Sequence, residues 1–312
     1  MSSAAPSVRG GLTPNLVGAF WMLASAAAYT LMTILLKGLG EDYPAALQAL
    51  YRQIVGFAVM LPLMLRHGYA AWRTTRPWTM FYRSAASSAG LILAFYSFQK
   101  LPLADANALS FTRPLWVVPL AALLLRERLG WLRVSAVLIG FGGVLVMLGA
   151  TDAALTIGKA QAAALISAFL LATSVIAIKN MTQDHGNLPL LSWAAMLGLV
   201  MVIPSGLAEW HLPSAGDFAL LAVMGIMGLL TQVCFVKAMQ VGDAAAMAPL
   251  DYARLLFGVA VGFFVFHEVP DARTLAGAAI VVAATLFITL REHQLARRGL
   301  IVEKPEENAP AP

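Results

Sequence analysis

SFTRPLW, residues 110–116, sets Arg113 in the middle of a long apolar run, and DYARLLF, residues 251–257, does the same with Arg254. In each stretch an aromatic residue stands two places before the arginine (Phe111, Tyr252) and another stands three places after it (Trp116, Phe257). The arginines are 141 residues apart, and a glutamate follows each by fourteen, Glu127 and Glu268. Upstream, LASAAAYTLMTILLK ending at Lys37 lies over LISAFLLATSVIAIK ending at Lys179, with Ser25 over Ser167 and Ala26 over Ala168. Four landmarks at nearly one offset read as an internal duplication.

The composition says what is duplicated. Of 312 residues, 60% are hydrophobic and only 12% are charged, against about a quarter charged in soluble domains. Such a chain cannot cover a globule with polar surface. Apolar runs of about twenty residues, the length that crosses a bilayer core of about 30 Å as a helix, recur along most of it. Polar and proline breaks divide them into ten spans, near 15–36, 45–65, 78–99, 104–125, 131–149, 159–179, 189–208, 217–239, 244–266 and 272–290. The expected fold class is an all-α polytopic membrane protein, with ten transmembrane helices as two inverted five-helix repeats. Residues 1–14 form an N-terminal cytoplasmic segment, 15–150 the first repeat, 151–290 the second, and 291–312 a disordered cytoplasmic tail. The first apolar run is too long for a signal-peptide core and reads as a retained span. The single cysteine, Cys234, excludes a disulfide within the chain and a thiol-based metal site.

Lysine and arginine set the orientation. With the N-terminus in the cytoplasm, 14 basic residues fall inside and 4 outside (Lys37, Lys100, Lys159, Arg273), while Arg52, Arg113 and Arg254 lie within spans. That bias places both termini in the cytoplasm of a cell inner membrane. The net charge of +5 reads as basic cytoplasmic loops, with no nucleic acid as partner. An odd number of spans per repeat turns the second repeat upside down, so that Lys37 falls outside and Lys179 inside. Inverted repeats are a recurrent build of secondary transporters, whose substrate site lies near the midplane where the halves meet.

Arginine at the bilayer centre costs at least about 2.5 kcal/mol to insert, so Arg52, Arg113 and Arg254 need a partner or a wet cavity. Asp251 stands three residues before Arg254 and can pair with it along one helix, or reach Arg113 across the repeat interface. The reading with function in it is a central substrate-binding cavity. Its polar determinants are Arg113, Arg254, Asp251 and Arg52, its ring-contacting wall is Phe111, Tyr252 and Trp116, and Asn107, Ser110 and Gln232 add polar groups. Three arginines against one aspartate favour a solute with an anionic group. Lys37 and Lys179 read as caps of helix C-termini, and Glu127 and Glu268 as structural groups at helix–loop junctions. Pro114, Pro119 and Pro249 bend the arginine-bearing spans. SAASSAG (84–90), Gly258 and Gly262 read as close helix packing.

No GxxxxGK[ST] loop, HExxH, GxSxG or CxxC motif is present, which disfavours a nucleotide-driven motor or a membrane enzyme. No catalytic residue, cofactor or metal is expected. The expected partners are a small-molecule substrate, the lipid bilayer and, as an open question, a coupling proton, in a monomer or homodimer.

LPLADANALSFTRPLWVVPLAALLLRERLGWLRVSAVLIGFGGVLVML (101–148) resembles the closing half-repeat of the drug/metabolite transporter superfamily, EamA type, and DAAAMAPLDYARLLFGVAVGFFVFHEVPDARTLAGAAIVV (243–282) resembles its second copy. The similarity covers nearly all of 15–290. It implies ten helices, inverted five-helix repeats, cytoplasmic termini and ATP-independent transport of small solutes. ALYRQIVGF (49–57) and FYRSAASSAGLILAFYSF (81–98) are most similar to a bacterial subgroup described as S-adenosylmethionine or riboflavin carriers. The wider family holds aromatic amino-acid exporters. The expected function is secondary transport of a small organic metabolite by alternating access, the substrate being amino-acid-like, aromatic or nucleoside-like. The rival readings are a lipid-intermediate flippase and a non-transporting membrane scaffold.

Overall fold

Proline and glycine set most of the helix boundaries. In a computed structural model, which describes residues 14–125, 131–148, 157–181, 187–241, 250 and 253–297, α1 (Pro14–Gly38) and α3 (Pro77–Lys100) open on a proline, whose missing N–H costs nothing in a first turn. α2 (Ala45–His67) and α4 (Leu103–Ser110) start just after Pro44 and Pro102. α2 ends at Gly68, whose φ of 49° suits a residue without Cβ and whose amide returns to the Met64 carbonyl. The remaining helices are α5 (Arg113–Leu125), α6 (Trp131–Met147), α7 (Lys159–Met181), α8 (Asn187–Ala208), α9 (Ala215–Val241), α10 (Ala253–Phe266) and α11 (Ala272–Arg297). Every regular element among the described residues is helical.

Among the described residues, six spans are long and apolar enough to cross a membrane by themselves, and Val134–Met147, Ala253–Phe266 and Ala272–Ile288 are shorter apolar helices. α3 is long enough at 24 residues, but arginine and serine dilute its apolar content. Two expectations change. The fourth span is two helices: α4 stops at Ser110 and α5 begins at Arg113. Pro114 has no N–H to return to the Ser110 carbonyl, and the Phe111 and Thr112 amides fold back on Asn107, Ala108 and Leu109 in a tightened last turn. The last helix runs to Arg297, so 291–297 belong to a helix and not to a disordered tail.

The packing crosses between the repeats. α1 lies against α9 as α7 lies against α3, and α2 packs on α8 and α6 on α11. Exchanging the repeats turns the first two pairings into each other and returns each of the other two to itself. The same exchange relates two hydrogen bonds: Ser25 Oγ donates to the Thr231 carbonyl at 2.9 Å, and Ser167 Oγ to the Gly90 carbonyl at 2.7 Å. Serine and threonine bonds between apolar helices hold them in register. One large core joins Leu36, Leu47, Phe95, Leu103, Leu221 and Met224 from both halves, and a second joins Leu109, Phe111, Leu115, Val144 and Val281.

Where α6 crosses α11 the backbones nearly touch. A Cβ added at Gly277 would lie 2.4 Å from the Gly143 carbonyl oxygen, whereas one at Gly142 would meet nothing within 4 Å. Backbone cannot move aside as a side-chain tip can. We therefore expect Gly277→Val to destabilise the protein by about 1–3 kcal/mol and Gly142→Ala to be neutral, as read by thermal unfolding in detergent.

Candidate functional site

α2 to α3 and α7 to α9 surround a cavity of about 320 Å³, with Arg113 at the head of α5 reaching its wall. The lining residues lie in the middle of these helices and toward the end where α2 finishes, here called the Arg66 face. Two stripes from each repeat make the walls. α3 contributes Ser84, Ser87, Ser88 and Leu91, one helical face by spacing, and α9 contributes Gly225, Gly228, Leu229 and Gln232 at a constant offset of 141. α2 contributes Arg52, Gln53 and Gly56, and α8 contributes Ala194, Ala195 and Gly198 at an offset of 142. The walls are therefore equivalent in position and different in chemistry. Charge lies on the first repeat with most of the hydroxyls, and small or apolar groups, with Gln232 and Ser174 of α7 as the exceptions, lie on the second.

Arg52 extends beside Gly228, where any side chain would collide with its Nε, and its Nη1 donates to Gln53 Oε1 at 3.1 Å. Arg83, six residues into α3, donates through Nη1 to the Leu190 carbonyl at 2.9 Å. Ser87 and Ser174 share a hydrogen bond of 2.6 Å. No aspartate or glutamate among the described residues lines this cavity. A second cleft, of about 690 Å³ at the opposite end, is lined by Glu41 and Glu209 as well as Lys100 and Lys159, so its charges balance.

At that opposite end, the Lys37 face, side chains of the two repeats are tied together. Lys37 forms an ion pair with Glu268 and donates to the Leu101 carbonyl at 2.9 Å. The other Glu268 oxygen accepts the Leu103 amide at 2.8 Å, at the positive end of α4. The pair thus joins the end of α1 to the end of α10 through the start of α4. Nearby, Tyr43 donates to Asp217 at 2.9 Å and Tyr51 stacks on Trp210 at 5.5 Å. Burial and the Asp217 carboxylate push the Tyr43 hydroxyl up from its ordinary value, so it remains a donor.

Of the residues singled out from sequence, Arg52, Arg113 and Gln232 line the cavity. Arg254 lies between two rings, 4.8 Å from the Phe111 centroid and 5.2 Å from that of Tyr29. This cation–π clamp occupies the Phe111 face. Trp116 packs edge-on against Phe141 and Phe169 at 4.7 and 5.3 Å. Asn107 is buried, donates to the Leu103 carbonyl at 2.8 Å and abuts Gly258, while Ser110 donates to the Asn107 carbonyl at 2.7 Å. Neither Trp116, Asn107 nor Ser110 is part of the cavity wall. Asp251, Tyr252 and Glu127 lie outside the described residues, as does the Lys179 side chain.

Sequence reasoning missed Arg83, counted there with the flanking basic residues, and Ser84, Ser87 and Ser88, read there as packing. Their spacing on one face was the available signal. Trp116 supplies a check on its own placement. Its Nε1 is buried without an acceptor among the described residues, so Trp116→Phe deletes an unsatisfied donor. We expect thermal unfolding in detergent to show stability equal to or above that of the parent.

The EamA-like transporter family matches the chain twice, over residues 16–149 and 158–290. An S-adenosylmethionine uptake transporter of Rickettsia prowazekii is 29% identical over 90% of this chain and 95% of its own length. A riboflavin transporter of Rhizobium johnstonii is 29% identical over 90% and 94%, and a pseudopaline exporter of Pseudomonas aeruginosa is 26% identical over 86% and 95%. One solved crystal structure, 20% identical, superposes with a TM-score of 0.59 over 90% of this chain and 98% of that one, a likeness of fold alone.

Proposed function

The chain belongs to the EamA-like transporter family, and on that premise we propose that it moves a small organic metabolite across a bacterial inner membrane by alternating access, without ATP. It is a multi-pass membrane protein of a transporter family, and its relatives are named for small molecules. The observation that carries the mechanism is the pairing of a cavity displaced toward the Arg66 face with an ion pair that closes the Lys37 face. A carrier caught with one side shut has this arrangement. The positive-inside bias supports assigning the Arg66 face and both termini to the cytoplasm.

Repeat symmetry then supplies the other state. Glu127 and Lys179 hold the repeat positions of Glu268 and Lys37, and in the opposite conformation they form the latch at the cytoplasmic face. Rocking one repeat against the other exchanges the latches around a fixed central site. Relatives named for S-adenosylmethionine and riboflavin, together with arginines in the cavity wall, support a substrate that is amino-acid-like, aromatic or nucleoside-like. Direction is not carried over, since the relatives include an uptake transporter and an exporter.

Uptake of labelled metabolites into proteoliposomes, with and without an imposed proton gradient, tests this reading. Arg113→Ala and Arg254→Ala should insert normally and lose at least tenfold in rate, the first at the cavity wall and the second through the Phe111–Tyr29 clamp. No transport of any solute by the parent protein across a broad panel would leave a scaffold, and movement of lipid alone a flippase.

The latch has its own test. Lys37→Met and Glu268→Gln each leave a half-buried partner uncompensated, so each should cost about 1–2 kcal/mol in detergent unfolding. The double variant should cost less than their sum, because the pair is coupled. Strict additivity would show that the two side chains do not hold the face closed.

A further inference from the structure

Three residues that line the central cavity, Arg52, Arg83 and Ser84, each carry a buried donor with nothing to donate to. Arg52 Nε, Arg83 Nε and Ser84 Oγ are sealed from solvent and have no hydrogen-bond partner among the described residues. Ser84 is only 3% exposed. Buried donors in folded proteins are nearly always satisfied, and an orphan at a cavity wall needs an explanation. Here the three belong to one wall, that of the first repeat, and Arg113 adds a third positive charge to the same space. No carboxylate among the described lining residues stands beside Arg52 or Arg83 in the wall. At the matching positions of the second repeat stand Ala194 for Arg52 and Gly225 for Ser84.

We propose that this wall is an anion seat: the solute presents a carboxylate to Arg52, Arg83 and Ser84, while its uncharged body rests on the small residues of the second-repeat wall. The inference rests on the transporter reading only in calling the occupant a solute. A carboxylate is all acceptor, with about four lone-pair directions in one plane, and it matches guanidinium N–H groups in geometry as well as charge. Low-dielectric walls strengthen that attraction, and they strengthen equally the repulsion of a cation. The class selected is a small organic anion or a zwitterion held by its carboxylate. The volume of about 320 Å³ falls at the lower end of the range for small-molecule sites, roughly 300–1,000 Å³. The seat excludes Arg254, whose guanidinium is engaged by two rings.

The sole cysteine, Cys234, allows a test that needs no knowledge of the solute. In a Cys234→Ser background reconstituted in phosphatidylcholine, Ser87→Cys places a thiol on the cavity wall, and Ser174→Cys provides a second position should the first fold poorly. Each is reacted with two methanethiosulfonate reagents, one carrying a sulfonate and the other a trimethylammonium group. The rate ratio is normalised to the same chain denatured. We expect the anionic reagent to be favoured at least tenfold, and Arg52→Gln or Arg83→Gln to reduce that preference several-fold. Equal rates, a cationic preference, or no labelling by either reagent at both positions would overturn the proposal. Collapse of the ratio when phosphatidylglycerol is added to the bilayer would assign the seat to a lipid headgroup and overturn the solute. A persisting ratio beside absent uptake in proteoliposomes would sink the transporter reading and leave the anion seat standing.

Discussion

A guanidinium group cannot sit in hydrocarbon without protein or water around it, and much of this structure follows from accommodating four of them. Arg254 is held between the Phe111 and Tyr29 rings. Arg113 stands where the fourth span breaks, at the head of α5. Arg52 and Arg83 turn toward a cavity. Each solution draws on more than one helix. Tyr29 comes from α1 and Phe111 from the α4–α5 break, and the carbonyl that receives Arg83 comes from α8. The charges therefore specify which helices must be neighbours more sharply than interchangeable apolar faces could, since lipid competes with protein for an apolar surface.

Crossing the repeats is the structural answer to that requirement. A five-helix unit folded on itself would leave its polar faces toward lipid. Interleaved, α3 meets α7 and α1 meets α9, and the serine-bearing face of α3 is enclosed. The Ser25 and Ser167 bonds mark the two equivalent crossings. At the Lys37 face the same interleaving brings Lys37 of the first repeat to Glu268 of the second, so this ion pair joins the halves. On the proposed rocking mechanism, relative motion of the halves would make or break it.

Particular residues show what could be read in advance. Ser25 over Ser167 needed only an alignment of the chain with itself, because duplication preserves spacing even where identity fades. Arg113, Arg52 and Gln232 were legible as polar groups in apolar runs, and all three line the cavity. Arg83 was not, because a charge one to two turns from a helix end can as well snorkel to water, and only the tertiary arrangement shows which way it turns. The break at Phe111–Thr112 had a visible cause in Pro114, but a proline bends some helices and divides others. The order of neighbours also stayed hidden. Hydropathy reports that a span is apolar and carries little about which span it touches.

The two walls of the cavity show how far the repeats have parted. The stripe at 84, 87, 88 and 91 keeps register with that at 225, 228, 229 and 232, so the backbone positions have been retained while the side chains have not. A symmetric pair of walls would offer a solute two equivalent poses related by the pseudo-two-fold axis. With the positive charge on the first-repeat wall alone among the described lining residues, one pose is favoured electrostatically and the reverse pose places an anionic group against Ala194 and Gly225. A carrier that rocks about a fixed site gains from this. On the proposed alternating-access reading, the solute would keep one orientation relative to the first repeat while access to it alternates, and the second repeat, having no strong bond to the solute's charged end, would be free to move.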